Sequence, residues 1–299
     1  MTQLFPRAVA ALFACTWLLC GCGANADAPS VRLAGMVMAE QLDEISGMAT
    51  SRRYSDTLWV INDGGHSPHL HAISRLGRLL TSVRVDAVPH TDWEDLAAFE
   101  LDGRPYLLIA DTGDNGGLRK TLQLHVLPEP DRLQAGSLKP AWSIVFRWPD
   151  GPRDCEAVAV DAERGLVLLL TKKRQPAELY ALPLRPGDPR TVLTARLLAH
   201  LRPAEGVQSD ATVGGVPANQ ITAADVSPDG SRLAVLSYGA ILIHARHPAT
   251  GWAQAAANPP QRIPIPLVPK AEALTWSAGG GGLYVTGEFS PAPIFHVIP

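Results

Sequence analysis

Apolar residues in this chain gather in short runs broken by turn-forming residues, and long stretches of helical periodicity are missing. The runs recur in a fixed order. A first segment opens on an oxygen-bearing residue and continues small and apolar: Ser46–Thr50 (SGMAT), Glu94–Ala98 (EDLAA), Glu156–Val160 (EAVAV), Thr222–Val226 (TAADV) and Glu272–Trp276 (EALTW). After a turn comes a second run, Leu58–Ile61, Tyr106–Ile109, Leu166–Leu170, Leu233–Leu236 and Leu283–Val285. A third follows at Leu70–Ile73, Leu122–Val126, Glu178–Leu182, Ala240–His244 and Ile294–Ile298. Fourth strands are expected at Leu80–Val85, Trp142–Trp148, Val192–Leu201 and Gln261–Leu267.

The spacing of the repeats is that of a four-stranded propeller blade, about 40–50 residues with room for insertions. The fifth repeat runs out of chain after three strands, while Val31–Met38 is a strand with no repeat of its own. The pattern therefore predicts an all-β fold, a five-bladed β-propeller closed by an N-terminal strand that joins the last blade. Closure of this kind ties the two chain ends together and removes an open sheet edge. Six blades is the alternative count, if the interval from Leu182 to Ile221 holds a degenerate blade, although Pro203–Asn219 reads as loop. A β-sandwich is the alternative fold.

The first residues do not fit the repeat. Arg7 supplies a positive charge and Ala8–Leu19 an apolar stretch, shorter than the roughly 20 residues that span a bilayer. The stretch ends in Leu19-Cys20-Gly21-Cys22, which looks like a bacterial lipobox. The expected organisation is a lipoprotein signal peptide over 1–21, lipidation at Cys22, a tether over 22–30 and a propeller over 31–299. An ordinary signal peptide cut near Ala26 is the alternative. Multiple acyl chains bury enough methylene groups for stable attachment. Gly23 after the cysteine, in place of Asp, favours the outer membrane facing the periplasm over inner-membrane retention. Membrane contact is then expected through the lipid anchor, and the chain is expected to act as a monomer.

Cys15 and Cys20 fall in the signal peptide and Cys22 is the expected lipidation site, so the body holds only Cys155 and no internal disulfide. Its apolar context predicts a buried, inert thiol. Net charge is −3 with both signs interspersed, which excludes the basic field that nucleic-acid binding requires. The 26 glycines and 26 prolines are spread through the body and punctuate it into strand-length pieces.

The repeat also places chemistry. First strands line the central channel of a propeller, so Ser46, Glu94, Glu156, Thr222 and Glu272 are expected to converge there. Three carboxylates in a partly buried tunnel repel one another unless protonated or neutralised. A hard cation is the simplest remedy, and an all-oxygen set with room for water suits Ca²⁺ better than zinc or magnesium. The alternative is that these acids bond backbone amides and hold no ion.

The order Ser, Glu, Glu, hydroxyl, Glu at the blade starts resembles that of calcium-activated apyrase nucleotidases, five-bladed propellers in which the equivalent ring holds calcium. Fainter similarity extends to phytase-like esterase and calcium-dependent sugar-lactonase propellers. The resemblance implies a calcium ring and hydrolysis of a phosphoester. It departs where apyrases carry Asp-Asp-Arg-Thr-Gly, since this chain has Asn62-Asp63-Gly64-Gly65-His66 and lacks the arginine.

Loops leaving the second strands add polar candidates at one rim. Asp63 and Asp111 are the expected general bases, and Asp114, Lys172, Lys173 and Arg174 the expected contacts to a small anionic or ester substrate. The alternative for each is a turn-former or a solvated cation. His66, His69 and His71 lack a third ligand in metal geometry. Two functions stay open: a calcium-dependent hydrolase, and a non-catalytic propeller that binds a protein or glycan at the envelope with calcium as a rivet.

Overall fold

The computed structural model describes residues 29–188, 190–204, 211–265, 268 and 270–299. The expected signal peptide, Cys22 and all but the end of the tether lie outside the described residues. Five antiparallel blades account for nearly all of the body. Their innermost strands are Ile45–Thr50, Trp93–Leu101, Ala157–Asp161, Ile221–Val226 and Ala271–Trp276. Each of these neighbours the next, and the fifth neighbours the first, so the inner strands form a closed ring of five. No sixth blade occurs among the described residues.

In the fifth blade Ser30–Val37 pairs antiparallel with Ala292–Ile298, from Ser30 opposite Ile298 to Val37 opposite Ala292. The first and last strands of the body therefore share one sheet. One expected strand divides. Within Val192–Leu201, Val192–Thr194 runs parallel to the edge of the second blade beside Val145–Arg147, whereas Arg196–His200 is the outer strand of the third blade. The stretch expected as loop, Pro203–Asn219, contains a two-stranded hairpin of Thr212–Val213 and Val216–Pro217.

The packing explains why the first segments of the repeat are small. Inner strands are buried on both faces and crowd towards the axis, so alanines recur there. At Gly47 a β-carbon would lie 2.7 Å from the amide nitrogen of Leu96, too close for any side chain. Five apolar clusters fill the five spaces between successive blades, including the one between the fifth and the first. Trp59, Trp93 and Trp276 are fully buried in those spaces, and burying a large apolar side chain contributes about 1.5–3 kcal/mol. Each indole finds an acceptor, Trp59 on Glu129 Oε1 at 2.9 Å, Trp93 on the Pro89 carbonyl at 3.3 Å and Trp276 on the Asp225 carbonyl at 3.1 Å.

Polar ties supplement the apolar packing at the axis. The Asp95 carboxylate, wholly buried, accepts the amides of Leu96 at 2.8 Å, Val158 at 2.8 Å and Ala224 at 3.2 Å, joining three blades. Asp225 accepts the Trp276 amide at 2.9 Å and the Thr275 hydroxyl at 3.0 Å, joining the fourth blade to the fifth. Cys155 is free and buried, and burial raises its thiol pKa, as expected of an inert cysteine.

Candidate functional site

The five blade-start residues lie at the same end of the ring, but they do not form one ligand set. Ser46 donates its hydroxyl to the Trp93 carbonyl at 2.8 Å, and Thr222 donates to the Ala271 carbonyl at 2.7 Å. Both side chains are short, and each reaches only the neighbouring inner strand. They tie one blade to the next. Glu272 accepts the Tyr238 hydroxyl at 2.5 Å, and burial pushes its pKa up to about 7.

What the fold assembles instead is a lateral cluster of carboxylates between the first three blades. Asp63, Asp92 and Glu94 bring carboxylate oxygens within 4.8 Å of one another, and so do Glu94, Asp154 and Glu156. Glu94 belongs to both triads. It is 5% exposed, and its carboxylate has no hydrogen-bond or ion-pair partner among the described residues. Burial raises its pKa well above the usual range, and the negative charge of Glu156 adds to the effect. Burial, with the charge of Asp63, likewise pushes Asp92 up to about 6.

Asp92 and Asp154 are absent from the candidates drawn from the sequence. Both stand two residues before a blade-start glutamate, as Asp92-Trp93-Glu94 and Asp154-Cys155-Glu156. Residues two apart on an extended segment face the same way, so a repeated Asp-X-Glu was the available signal. The other three blades carry Glu44-Ile45-Ser46, Gln220-Ile221-Thr222 and Lys270-Ala271-Glu272 at that place. In the fifth blade the extra charge is thus a lysine, and Lys270 pairs with Glu288 at 2.6 Å.

The two triads differ in their surroundings. Lys172 makes an ion pair with Glu156, and Lys173 reaches Asp154 Oδ2 at 2.9 Å and Asn115 Oδ1 at 2.7 Å. Burial opposes the charge on Lys172, but Glu156 and Glu272 outweigh it and raise its pKa, so the ammonium persists. No lysine or arginine makes an ion pair with Asp63, Asp92 or Glu94 among the described residues, although the charge of Arg119, which is paired with Asp111, partly offsets the rise in the Asp92 pKa. Asp63 is half-buried, and its Oδ1 accepts the amide of Gly64. Gly113 closes over this half. A β-carbon there would fall inside contact distance of Glu94 Oε1 and Asp92 Oδ2, so only glycine lets the backbone approach.

The remaining rim candidates sit apart from the cluster or support it. Asp111 is fully buried, takes the Arg119 guanidinium at 2.6 Å and the Thr91 amide at 3.2 Å, and is thereby neutralised. Asp114 accepts the amides of Leu118 at 2.7 Å and Arg119 at 3.1 Å, shaping its own loop, while its amide donates to Asp154 Oδ1 at 2.9 Å. Lys173 and Arg174 are both exposed; Lys173 pairs with Asp154 at the cluster, whereas Arg174 makes no ion pair among the described residues. His71 bonds the Ser82 hydroxyl at 2.8 Å and stacks on His69.

No family model matches the chain, and no curated protein matches it in sequence. Solved structures match in shape. The PQQ-bound aldose sugar dehydrogenase of Streptomyces coelicolor overlays with a TM-score of 0.49 at 11% identity, over 90% of this chain and 98% of that one. U3-55K gives 0.42 at 14%, over 85% and 68%. A structural genomics protein of unknown function from Bacteroides thetaiotaomicron gives 0.49 at 11%, over 91% and 76%. Likeness at this level carries no argument about activity, and the propeller assignment stands on the closed ring of five blades.

Proposed function

We propose that this propeller binds calcium at the Glu94 cluster and hydrolyses a small phosphoester at the bacterial cell envelope, where lipid on Cys22 would hold it. One observation carries the cation: Glu94 is buried at the junction of two carboxylate triads with no partner for its own charge. A buried carboxylate in that position costs several kcal/mol unless it is neutralised. The ligands are all oxygen, with no cysteine or imidazole among them, which favours a hard cation. Asp63, Asp92 and Glu94 would hold it. The likeness of the blade starts to calcium-activated apyrases points the same way, while the missing arginine after Asp63 makes nucleotides the less favoured substrates.

A bound cation would supply charge neutralisation and a more acidic coordinated water. The chain's own residues supply the rest. Lys173 presents an ammonium beside the cluster, suited to the oxygens of a phosphoryl group. Asp154 and Asn115 keep that ammonium in place. Asp114 holds the adjoining loop and orients Asp154. Asp63 belongs to the ligand set in this reading instead of standing apart as a base.

The test uses the full chain, stripped with a chelator and screened against phosphate monoesters, nucleotides and lactones with and without calcium. Calcium-dependent release of phosphate, abolished in Glu94→Gln and weakened in Lys173→Ala, supports the proposal. A protein that calcium stabilises but that turns over none of these substrates overturns the hydrolase and leaves a non-catalytic envelope propeller.

A further inference from the structure

Two overlapping triads invite two cations, yet their halves are not equivalent. The Asp154–Glu156 half already faces two ammonium groups, Lys172 on Glu156 and Lys173 on Asp154 at 2.9 Å. Lys172 is enclosed, with its ammonium 5.5 Å from the centre of the Tyr238 ring, and Tyr238 in turn is tied to Glu272 at 2.5 Å. The Asp63–Asp92 half makes no ion pair among the described residues: the Arg119 guanidinium acts on Asp92 through its charge but is held by Asp111 at 2.6 Å, and this is the half that Gly113 leaves room for. Glu94 stands between the two and is neutralised by neither.

We propose that the protein fills half of the cluster with its own cations: Lys172 and Lys173 occupy the Asp154–Glu156 half, and a single calcium-sized ion occupies the Asp63–Asp92–Glu94 half. The proposal rests on the calcium reading above and goes further by fixing the number of ions and their place. Charge decides it. Lys173 faces Asp154 and Lys172 faces both Glu156 and Glu272, so a second divalent ion would have to displace a buried lysine from its carboxylate. Removing one partner of a buried ion pair leaves the other charge buried and uncompensated. Three carboxylates without lysines, in contrast, exceed the charge of one divalent ion and hold it without displacing anything. Lys172 is then the residue that forbids a second ion.

Calcium titration of the chelator-stripped full chain, read by calorimetry and by native mass spectrometry, tests this. The wild type should take up one ion. Lys172→Met, which keeps the bulk and removes the charge, should take up two. In the lysine-intact background, Asp63→Asn should weaken the single ion by at least the roughly 10-fold that loss of even a supporting residue causes, and Glu156→Gln should leave it bound. These two variants decide the matter even if Lys172→Met does not fold. Two ions in the wild type, one ion in folded Lys172→Met, or loss of the ion in Glu156→Gln but not in Asp63→Asn overturns the assignment and leaves the calcium reading standing. No uptake by any of them overturns both.

Discussion

The carboxylate of Asp95 accepts the backbone amide of Val158 at 2.8 Å, from the inner strand of one blade to that of the next. The same oxygen takes the Ala224 amide at 3.2 Å, so one side chain holds three blades together at the axis. Its neighbour Glu94 has nothing to accept. Two adjacent carboxylates thus divide between holding the ring and awaiting a ligand.

Replacing Asp95 with alanine strands three buried amides, each unmade bond costing about 1–3 kcal/mol. A loss of at least 3 kcal/mol is expected for Asp95→Ala, and a smaller one for Asp95→Asn, whose carbonyl can still accept from Val158 and Ala224. Urea unfolding measures both. Equal losses would show that the amides are not what the side chain serves.

Glu94→Gln should raise the melting temperature of chelated protein, because it removes a buried charge without a partner. It should also abolish the rise that calcium produces in the wild type. Differential scanning fluorimetry with and without calcium reads both effects.

The pH dependence follows from Asp92 at about 6, Glu272 at about 7 and Glu94 well above its usual value, all raised chiefly by burial. A carboxyl whose pKa is raised by folding contributes stability that is complete below its unfolded pKa, about 4. That stability is lost as pH climbs through the folded value. Chelated wild type should therefore melt lower at pH 7.5 than at pH 5. Calcium should close the gap mainly at the higher pH, and the slope should be shallower in Glu94→Gln. Melting scans across this range check the sign.

Gly113→Ala keeps every carboxylate but drives a β-carbon against Glu94 and Asp92. Calcium affinity should fall by at least about tenfold while the fold persists, an effect on ligand placement of the size that supporting residues exert. Unchanged affinity would mean that the cation does not sit on this half.

Gly47→Ala is the contrasting case. Its β-carbon meets the Leu96 amide nitrogen at 2.7 Å, backbone that cannot step aside. Overpacking of this kind costs about 1–3 kcal/mol, and it should lower stability in calcium and in chelator alike.

The number of blades and the order of their strands are legible in the sequence because each inner strand must be small and apolar in the same way, five times over. Val192–Leu201 was not legible as two strands. Its apolar run is continuous, and only the backbone bond from the Ala195 amide to the Arg147 carbonyl at 2.9 Å shows where the chain passes from one blade to the next. The carboxylate site was legible in half. Glu94 and Glu156 stand out by their place in the repeat and Asp63 by its rim loop, where it was expected as a base, whereas Asp92 and Asp154 stand two residues outside the repeat.

The sequence by itself determined that oxygen-bearing side chains begin every inner strand and that three of them carry charge. Which of these meet was decided by tertiary structure alone. The hydroxyls of Ser46 and Thr222 reach only the next backbone carbonyl. Lys172 and Lys173, far from the glutamates in the repeat, return to neutralise Glu156 and Asp154. Charge balance depends on distances of a few ångströms, and a linear pattern sets none of them; the ring of blades does, and it leaves Glu94 alone between two triads.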